Sequence, residues 1–239
     1  MLLTEGIVLR TLKYGETSLI LDIYSRDKGL ISCIAGGVRK SKTRLHAATF
    51  QLLQLLRVNL YYKEGDRLSR IKDAQPVLVL NDLLDHPIKR VIVIFMAELL
   101  QKSIREKELN EGLYNFLQKS ILELNELRDH IADFHLTFMI ELTSFLGFRP
   151  VSNFADQRPF FDLQDGQFVA ISHPRNTLTN DESLLLGEVL DKLEGERQEL
   201  SLNGKKRRIL LSGLIRYYQY HVEGFGNMKS PEVIHVVLS

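Results

Sequence analysis

The sequence has 239 residues, of which 44% are apolar and 26% are charged. This length allows one large domain or two smaller ones, and the apolar content excludes a disordered chain. The net charge of +1 does not by itself indicate an acidic partner. A single cysteine excludes an internal disulfide and a CxxC metal site, and it predicts a reduced, intracellular protein.

The sequence contains no pattern typical of export or of a membrane span. Its first residues have neither a basic segment nor an apolar stretch, so we expect no signal peptide. The longest nearly unbroken apolar run, 91–97, is far shorter than the roughly 20 residues that cross a bilayer. We therefore expect a cytoplasmic protein without a membrane partner.

Apolar and polar residues alternate as in strands over residues 4–75. Alternating runs precede Gly15, cover 19–24 and 30–35, and return over 56–62 and after the turn at 63–66. The turn at 25–29 ends on a glycine, where a positive φ is expected. Five short strands with tight turns predict a small Greek-key barrel of the OB type.

The remaining sequence has the spacing of helices, with one short hairpin inserted. Apolar residues recur at i, i+3 and i+4, and proline, asparagine and glycine mark the expected helix ends. The predicted helices begin at Pro87, after Asn110, near Ile131, at Asp181 and at Asn203. Asp165-Gly166 between two apolar runs predicts a hairpin at about 160–170. The segment 230–237 starts like a helix, although its β-branched residues also suit a strand.

These patterns predict an α+β protein with two domains. The first is a five-stranded OB-type β-barrel over 1–80. The second is an α-helical domain over 81–239 that carries the small hairpin insert.

Charge is divided unequally between these two domains. Residues 1–80 carry 13 basic and 7 acidic side chains, a net charge of +6, and the rest carry 18 and 23, a net charge of −5. No acidic residue lies between Asp27 and Glu64. A one-sided positive field attracts phosphates, because each neutralised phosphate releases condensed counterions. A solvated surface is the plainer explanation, but Gly36-Gly37 directly precedes four of these cations and could form a backbone anion site.

The basic barrel therefore supplies the candidate DNA contacts. They are Arg10, Lys13, Lys28, Arg39, Lys40, Lys42, Arg44, Arg57 and Lys63. OB folds hold single strands by combining a basic groove with aromatic side chains on which bases stack. Five aromatic residues lie in this segment, and we expect two of them to be exposed, with Tyr61 or Tyr14 favoured.

The sequence contains no recognisable catalytic pattern. The nucleotide-binding glycine loops, the HExxH zinc motif and the GxSxG nucleophile motif are absent. The seven histidines are scattered, and the i, i+5 spacing of His130 and His135 does not place both on one helix face. Cys33 lies in an apolar strand and is predicted to be a core residue. We expect no enzyme activity, no metal and no cofactor.

The run GIVLRTLKYGETSLILDIYSRDKGLISCIAGGVRKSKTRL resembles the opening of the bacterial RecO family of DNA repair and recombination mediator proteins. The shared features are an arginine in the first strand, a Tyr-Gly-Glu turn, and a Gly-Gly pair followed by alternating cations. The segments 145–150, 214–221 and 229–233 resemble later parts of the family pattern. The resemblance covers nearly the whole chain.

The resemblance implies a non-enzymatic role in a bacterial cytoplasm, associated with the nucleoid. Such proteins bind single- and double-stranded DNA, anneal complementary strands and help to load recombinase onto DNA coated by single-strand binding protein. The implied partners are the RecR protein and the acidic, apolar C-terminal tail of the single-strand binding protein. A basic group at the start of the fifth helix is our candidate for the tail site: Lys205, Lys206, Arg207 and Arg208.

One feature departs from the family. Many members carry four zinc-binding cysteines after the segment that matches Leu146–Pro150. Here that region holds Asn153, Asp156 and Gln157 without a cysteine, so we expect no zinc. We expect the hairpin to replace the metal by burying Phe160, Phe161 and Phe168.

Two alternatives remain open at this stage. An RNA- or ribosome-associated OB protein would have the same barrel and charge, because an OB fold does not determine its ligand. A nuclease is disfavoured, since the sequence shows no carboxylate cluster for metal-ion catalysis.

Overall fold

The computed structural model describes residues 1–38, 45–63, 65, 67–104, 108–195 and 200–238. The chain divides into two compact units, Met1–Glu126 and Leu127–Ser239, which we call the N-terminal and C-terminal units. The N-terminal unit begins with five strands: β1 (Leu2–Tyr14), β2 (Ser18–Ser25), β3 (Gly29–Ala35), β4 (Leu55–Tyr61) and β5 (Ser69–Pro76). The domain boundary after residue 80 stays a prediction.

The five strands close into a barrel in the order β1-β2-β3-β5-β4, with β4 paired back to β1. Neighbouring strands are antiparallel except β3 and β5, which run parallel through Cys33↔Ser69 and Ile34↔Arg70. Gly29 has φ 62° at the β2–β3 turn, as its position in the sequence predicted. The predicted five-stranded OB-type barrel is confirmed.

β1 is long because it pairs with two neighbours. Residues 2–7 pair with β4, and residues 6–14 pair with β2, with a bulge between Val8 and Arg10. Gly6 belongs to both ladders, and a Cβ at this position would collide with the Ile23 side chain. A glycine here lets β1 cross close to β2, and the bulge sets which side chains beyond it face outward.

The barrel interior is apolar. Alternate residues of the strands point inward, among them Leu19, Leu21 and Ile23, and all three are buried. Cys33 is fully enclosed in this core, and burial together with the charge of Asp22 raises the pKa of its thiol to about 12. A thiol in this environment is not a nucleophile at neutral pH, so the prediction that it is a core residue is confirmed.

Three helices complete the N-terminal unit: α1 (Asn81–Asp85), α2 (Pro87–Ser103) and α3 (Glu111–Glu126). Pro87 opens α2 as predicted, and the Asn110 side-chain oxygen accepts a hydrogen bond from the backbone N–H of Leu113 (2.9 Å) at the start of α3. Gln101 of α2 donates to the carbonyl of Leu9 in β1 (2.8 Å). α1 was not predicted, because five residues are too few to show a helical stripe.

The C-terminal unit contains α4 (Phe134–Leu146), β6 (Phe160–Asp162), β7 (Gln167–Val169), α5 (Asn180–Glu194), α6 (Gly204–His221) and α7 (Ser230–Val237). The final segment is therefore a helix and not a strand. α5 begins one residue before the predicted Asp181, because Thr179 and Glu182 form a reciprocal capping box there. The mixed α+β class predicted from the sequence is confirmed.

The hairpin β6–β7 carries its own aromatic core. Phe161 and Phe168 are fully buried with their ring centroids 5.1 Å apart, and Phe161 lies 5.2 Å from the ring of Tyr217 in α6. Phe160 is half-buried. Two of the three phenylalanines thus pack as predicted, which ties the hairpin to α6.

The residues around this hairpin do not fit a zinc site. The Asn153 side-chain oxygen accepts a hydrogen bond from the backbone N–H of Phe168 (2.8 Å), and Asp156 and Gln157 are exposed. A structural zinc site requires four convergent thiolate or imidazole ligands, and this segment supplies none. No group of three metal-ligating side chains occurs among the residues that the structure describes.

Candidate nucleic-acid interface

Outward-facing residues of all five barrel strands form a continuous surface, which we call the barrel face. Directly paired residues lie on the same side of a sheet. Leu12 of β1 is opposite Ile20 of β2, Ile20 is opposite Ile34 of β3, and Arg70 of β5 continues the row to Tyr61 of β4. The barrel face consists of Arg10, Leu12, Tyr14, Ile20, Asp22, Ser32, Ile34, Tyr61 and Arg70.

Two exposed tyrosines flank this face. Tyr14 at the end of β1 is 56% exposed, and Tyr61 at the end of β4 is 49% exposed. The other three aromatic residues of the segment are less accessible: Tyr24 and Phe50 are buried, and Tyr62 is half-buried. The prediction of two exposed aromatics, with these tyrosines favoured, is confirmed. Leu12, 46% exposed, adds apolar surface between the rings.

A three-residue polar network occupies one edge of the barrel face. The Arg10 guanidinium forms an ion pair with Asp22, and the Ser32 hydroxyl donates to the other oxygen of that carboxylate (2.7 Å). Arg10 keeps an exposed side chain, but its charge is partly neutralised. Asp22 is therefore a strand-exterior residue that orients Arg10.

Arg57 faces outward on β4, on the same side of the strand as Tyr61. It pairs with Glu5 at 3.3 Å, and the same carboxylate also binds Arg26 at 3.3 Å. Both arginines sit beside the N-terminal half of β1. Arg57 is therefore close to Tyr61 along the strand, but its charge is paired with Glu5.

Three further candidate lysines lie in exposed segments. Lys13 is near the end of β1, Lys28 is in the β2–β3 turn and Lys63 follows β4. Lys28 and Lys63 line one cleft of about 570 Å³, where the Lys28 ammonium lies 5.7 Å from the centre of the Tyr62 ring. The remaining candidates, Arg39, Lys40, Lys42 and Arg44, lie outside the described residues.

Sequence reasoning missed three exposed cations on or near this surface. Arg67 lies in the β4–β5 turn, and Arg70 and Lys72 lie on β5. None has a carboxylate partner in the described part of the chain. They lie beyond Glu64, outside the acid-free window, although the alternation of β5 could have indicated that Arg70 and Lys72 point outward.

The basic group at the start of α6 is divided by the fold. Arg207 is only 16% exposed; it pairs with the buried Asp133 (3.2 Å) and donates to the backbone carbonyls of Leu202 and Leu238. Lys206 pairs with Glu188 at the surface (3.4 Å). Lys205 and Arg208 are exposed and have no ion-pair partner among the described residues.

Comparison with known proteins covers both parts of the chain. The family model "Recombination protein O N terminal" matches residues 1–79, and "Recombination protein O C terminal" matches residues 87–231. A DNA repair protein RecO from Christiangramia forsetii is 36% identical over 235 residues, which is 98% of each chain. Another from Flavobacterium psychrophilum is 35% identical over 238 residues, covering 99% of this chain and 98% of that relative. No helix in the described ranges is long and apolar enough to span a bilayer.

Proposed function

The chain belongs to the RecO family of DNA repair proteins, and we propose that it binds DNA on the barrel face and anneals complementary strands. One observation carries this proposal: two half-exposed tyrosines flank an exposed strand surface that also carries Arg70 without a carboxylate partner in the described chain. Aromatic rings accept any base by stacking, and cations follow the phosphates. This combination suits single strands of any sequence.

Annealing follows from the same surface. Two complementary strands repel each other through their phosphates, and neutralisation of those phosphates by lysine and arginine lowers this repulsion. A surface that binds the backbone and stacks only a few bases leaves the other bases free to pair. The proposed activity therefore needs no catalytic residue, and we propose that the protein acts as a mediator without enzyme activity.

We further propose that it helps to load recombinase on DNA coated by single-strand binding protein, with RecR and the tail of that protein as partners. An acidic, apolar tail requires cations that are free to bind it. Lys205 and Arg208, which have no ion-pair partner in the described part of the chain, meet this requirement, whereas Arg207 is already bound to Asp133 within the C-terminal unit. These activities place the protein in the cytoplasm at the nucleoid.

The first experiment measures DNA binding by a variant in which Arg39, Lys40, Lys42 and Arg44 are all alanine. We expect weaker binding for every sequence. The slope of log K against log[salt] should become shallower by about 0.7 for each single-strand phosphate that these side chains neutralise in the wild type. A control removes two exposed cations of the helices, Arg90 of α2 and Lys119 of α3, in the same way. An unchanged salt slope in the fourfold variant would refute the proposed phosphate binding by this segment.

The second experiment measures annealing of complementary strands coated by single-strand binding protein, with and without its tail. We expect annealing of DNA coated by the full-length single-strand binding protein, and less annealing with the tailless form of that protein. The Lys205→Ala/Arg208→Ala variant should anneal less than wild type on DNA coated by the full-length form, and as much as wild type on DNA coated by the tailless form. Competition with single-stranded DNA, duplex DNA and structured RNA completes the test. A preference for structured RNA together with no annealing would favour an RNA-associated function.

A further inference from the structure

A cleft beside the barrel face has the chemistry of a nucleotide site. It lies between the β2–β3 turn and the β4–β5 turn of the N-terminal unit and has a volume of about 570 Å³. Ser32 links it to the barrel face, because this residue lines the cleft and its hydroxyl binds Asp22 on that face. A strand lying on the barrel face would reach the cleft without leaving the protein surface.

The cleft is positively charged in its described lining. Lys28 comes from one turn, and Lys63 and Arg67 come from the other, whereas Asp27 is the acidic residue among the described lining residues. All three cations are exposed, and none has a carboxylate partner in the described ranges. Cations that converge from separate turns without such partners favour an anionic ligand.

The same cleft also has an apolar wall. Leu30 and Tyr62 are half-buried, and Leu109 is 59% exposed at its rim. A free inorganic anion would gain nothing from these side chains, and an apolar peptide would gain nothing from three cations. A nucleotide has both required parts, since its phosphate is anionic and its base has a flat apolar face.

We infer that this cleft holds one nucleotide of a single DNA strand bound on the barrel face. The phosphate contacts Lys28, Lys63 and Arg67, and the base packs against Leu30, Tyr62 and Leu109. This inference rests on the proposed DNA-binding function and adds a defined subsite to it, with Arg67 and Leu109 as new contact residues.

The test is a fluorescence anisotropy titration of a labelled oligothymidylate at several salt concentrations. The double variant Lys28→Ala/Arg67→Ala should bind several-fold more weakly, and its slope of log K against log[salt] should fall by about 0.7, the value for one phosphate. The matched control Arg90→Ala/Lys119→Ala removes one arginine and one lysine elsewhere and should behave as wild type. All four side chains are exposed, so these variants should keep the fold, which thermal unfolding verifies.

A second variant separates the base from the phosphate. Leu109→Ser removes apolar surface without changing charge, so affinity should fall about threefold to tenfold while the salt slope stays at the wild-type value. If both cleft variants bind like wild type while alanine at Tyr61 weakens binding, the cleft inference is overturned and the barrel-face proposal stands. If wild type itself does not bind the oligonucleotide, both are overturned.

Discussion

Replacing the two exposed tyrosines of the barrel face tests whether bases stack there. Tyr14→Ala and Tyr61→Ala each remove a ring that is about half exposed, and neither phenol forms a hydrogen bond within the described chain. Folding should therefore be unaffected, because each change removes little buried area and no polar interaction. Any decrease in affinity then measures a lost contact with DNA and not a loss of barrel stability.

The expected magnitude follows from the stacking energy and from the separation of the rings. One base–aromatic stack contributes about 1–3 kcal/mol, and for half-exposed rings we take about 1.4 kcal/mol, which is about tenfold in affinity. Tyr61 follows Leu60, which pairs with Leu2 at the start of β1, whereas Tyr14 is the last residue of β1, so the length of that strand separates the two rings. They therefore stack on different bases, and the affinity of the double variant should fall about a hundredfold because distant effects add.

The assay is oligothymidylate binding by anisotropy, with each tyrosine replaced in turn by alanine and by phenylalanine. The phenylalanine variants keep the ring and should bind within about twofold of wild type. Tyr220→Ala, which removes a similarly exposed tyrosine from the C-terminal unit, serves as a control and should have no effect. The stacking argument is refuted if the alanine variants bind like wild type, or if the phenylalanine variants lose as much affinity as the alanine variants.

Four further predictions concern charge, packing, metal content and pH. Asp22→Asn removes the carboxylate that pairs with Arg10. Loss of its repulsion of a phosphate about 8 Å away favours binding by about 0.5 kcal/mol, so low-salt titrations should show binding about two- to threefold tighter. Weaker binding would mean that Asp22 helps more by orienting Arg10 than it opposes binding by repelling phosphate. Phe161→Ala should lower the free energy of unfolding in a denaturant titration by about 3–5 kcal/mol, because the ring is fully buried against Tyr217. A chelator should leave the wild-type midpoint unchanged, and a shift would reveal a metal. Burial lowers the pKa of His135 from 6.5 to about 3, so between these values the unfolded state binds a proton that the native state does not. Stability therefore rises with pH by about 1.4 kcal/mol per unit across this range and is lost as the pH is lowered. His135→Gln should remove that one-proton slope from the stability curve measured over this range, and an unchanged slope would contradict the assignment.

Local periodicity was sufficient for most of the fold. The alternation that predicted the strands depends only on successive side chains pointing to opposite faces, so it appears in the sequence before any strand is paired. The same rule explains why Tyr14 and Tyr61 could be expected outside the barrel while Cys33 was expected inside it. α1 was missed because it is shorter than the window that reveals a helical period.

Whether an individual cation is paired with a carboxylate could not be predicted in this way. Arg57 belongs to the acid-free window, yet it meets Glu5, which is 52 positions away in the sequence. Arg207 likewise lies in a run of four cations, but its partner Asp133 is 74 positions away. Both looked free in the sequence because a carboxylate neutralises a cation through space, at distances of a few ångströms, whatever the separation along the chain.

The amino-acid order alone thus determined which residues form the strands and most of the helices, which side of each strand is buried, and that positive charge is concentrated in the first third of the chain. Only the tertiary structure decided which cations remain available for phosphate and that two separate turns enclose one cleft. The reason is physical: the direction of a side chain follows from its immediate neighbours in the backbone, whereas the electric field around it is produced by every charge that folding brings near.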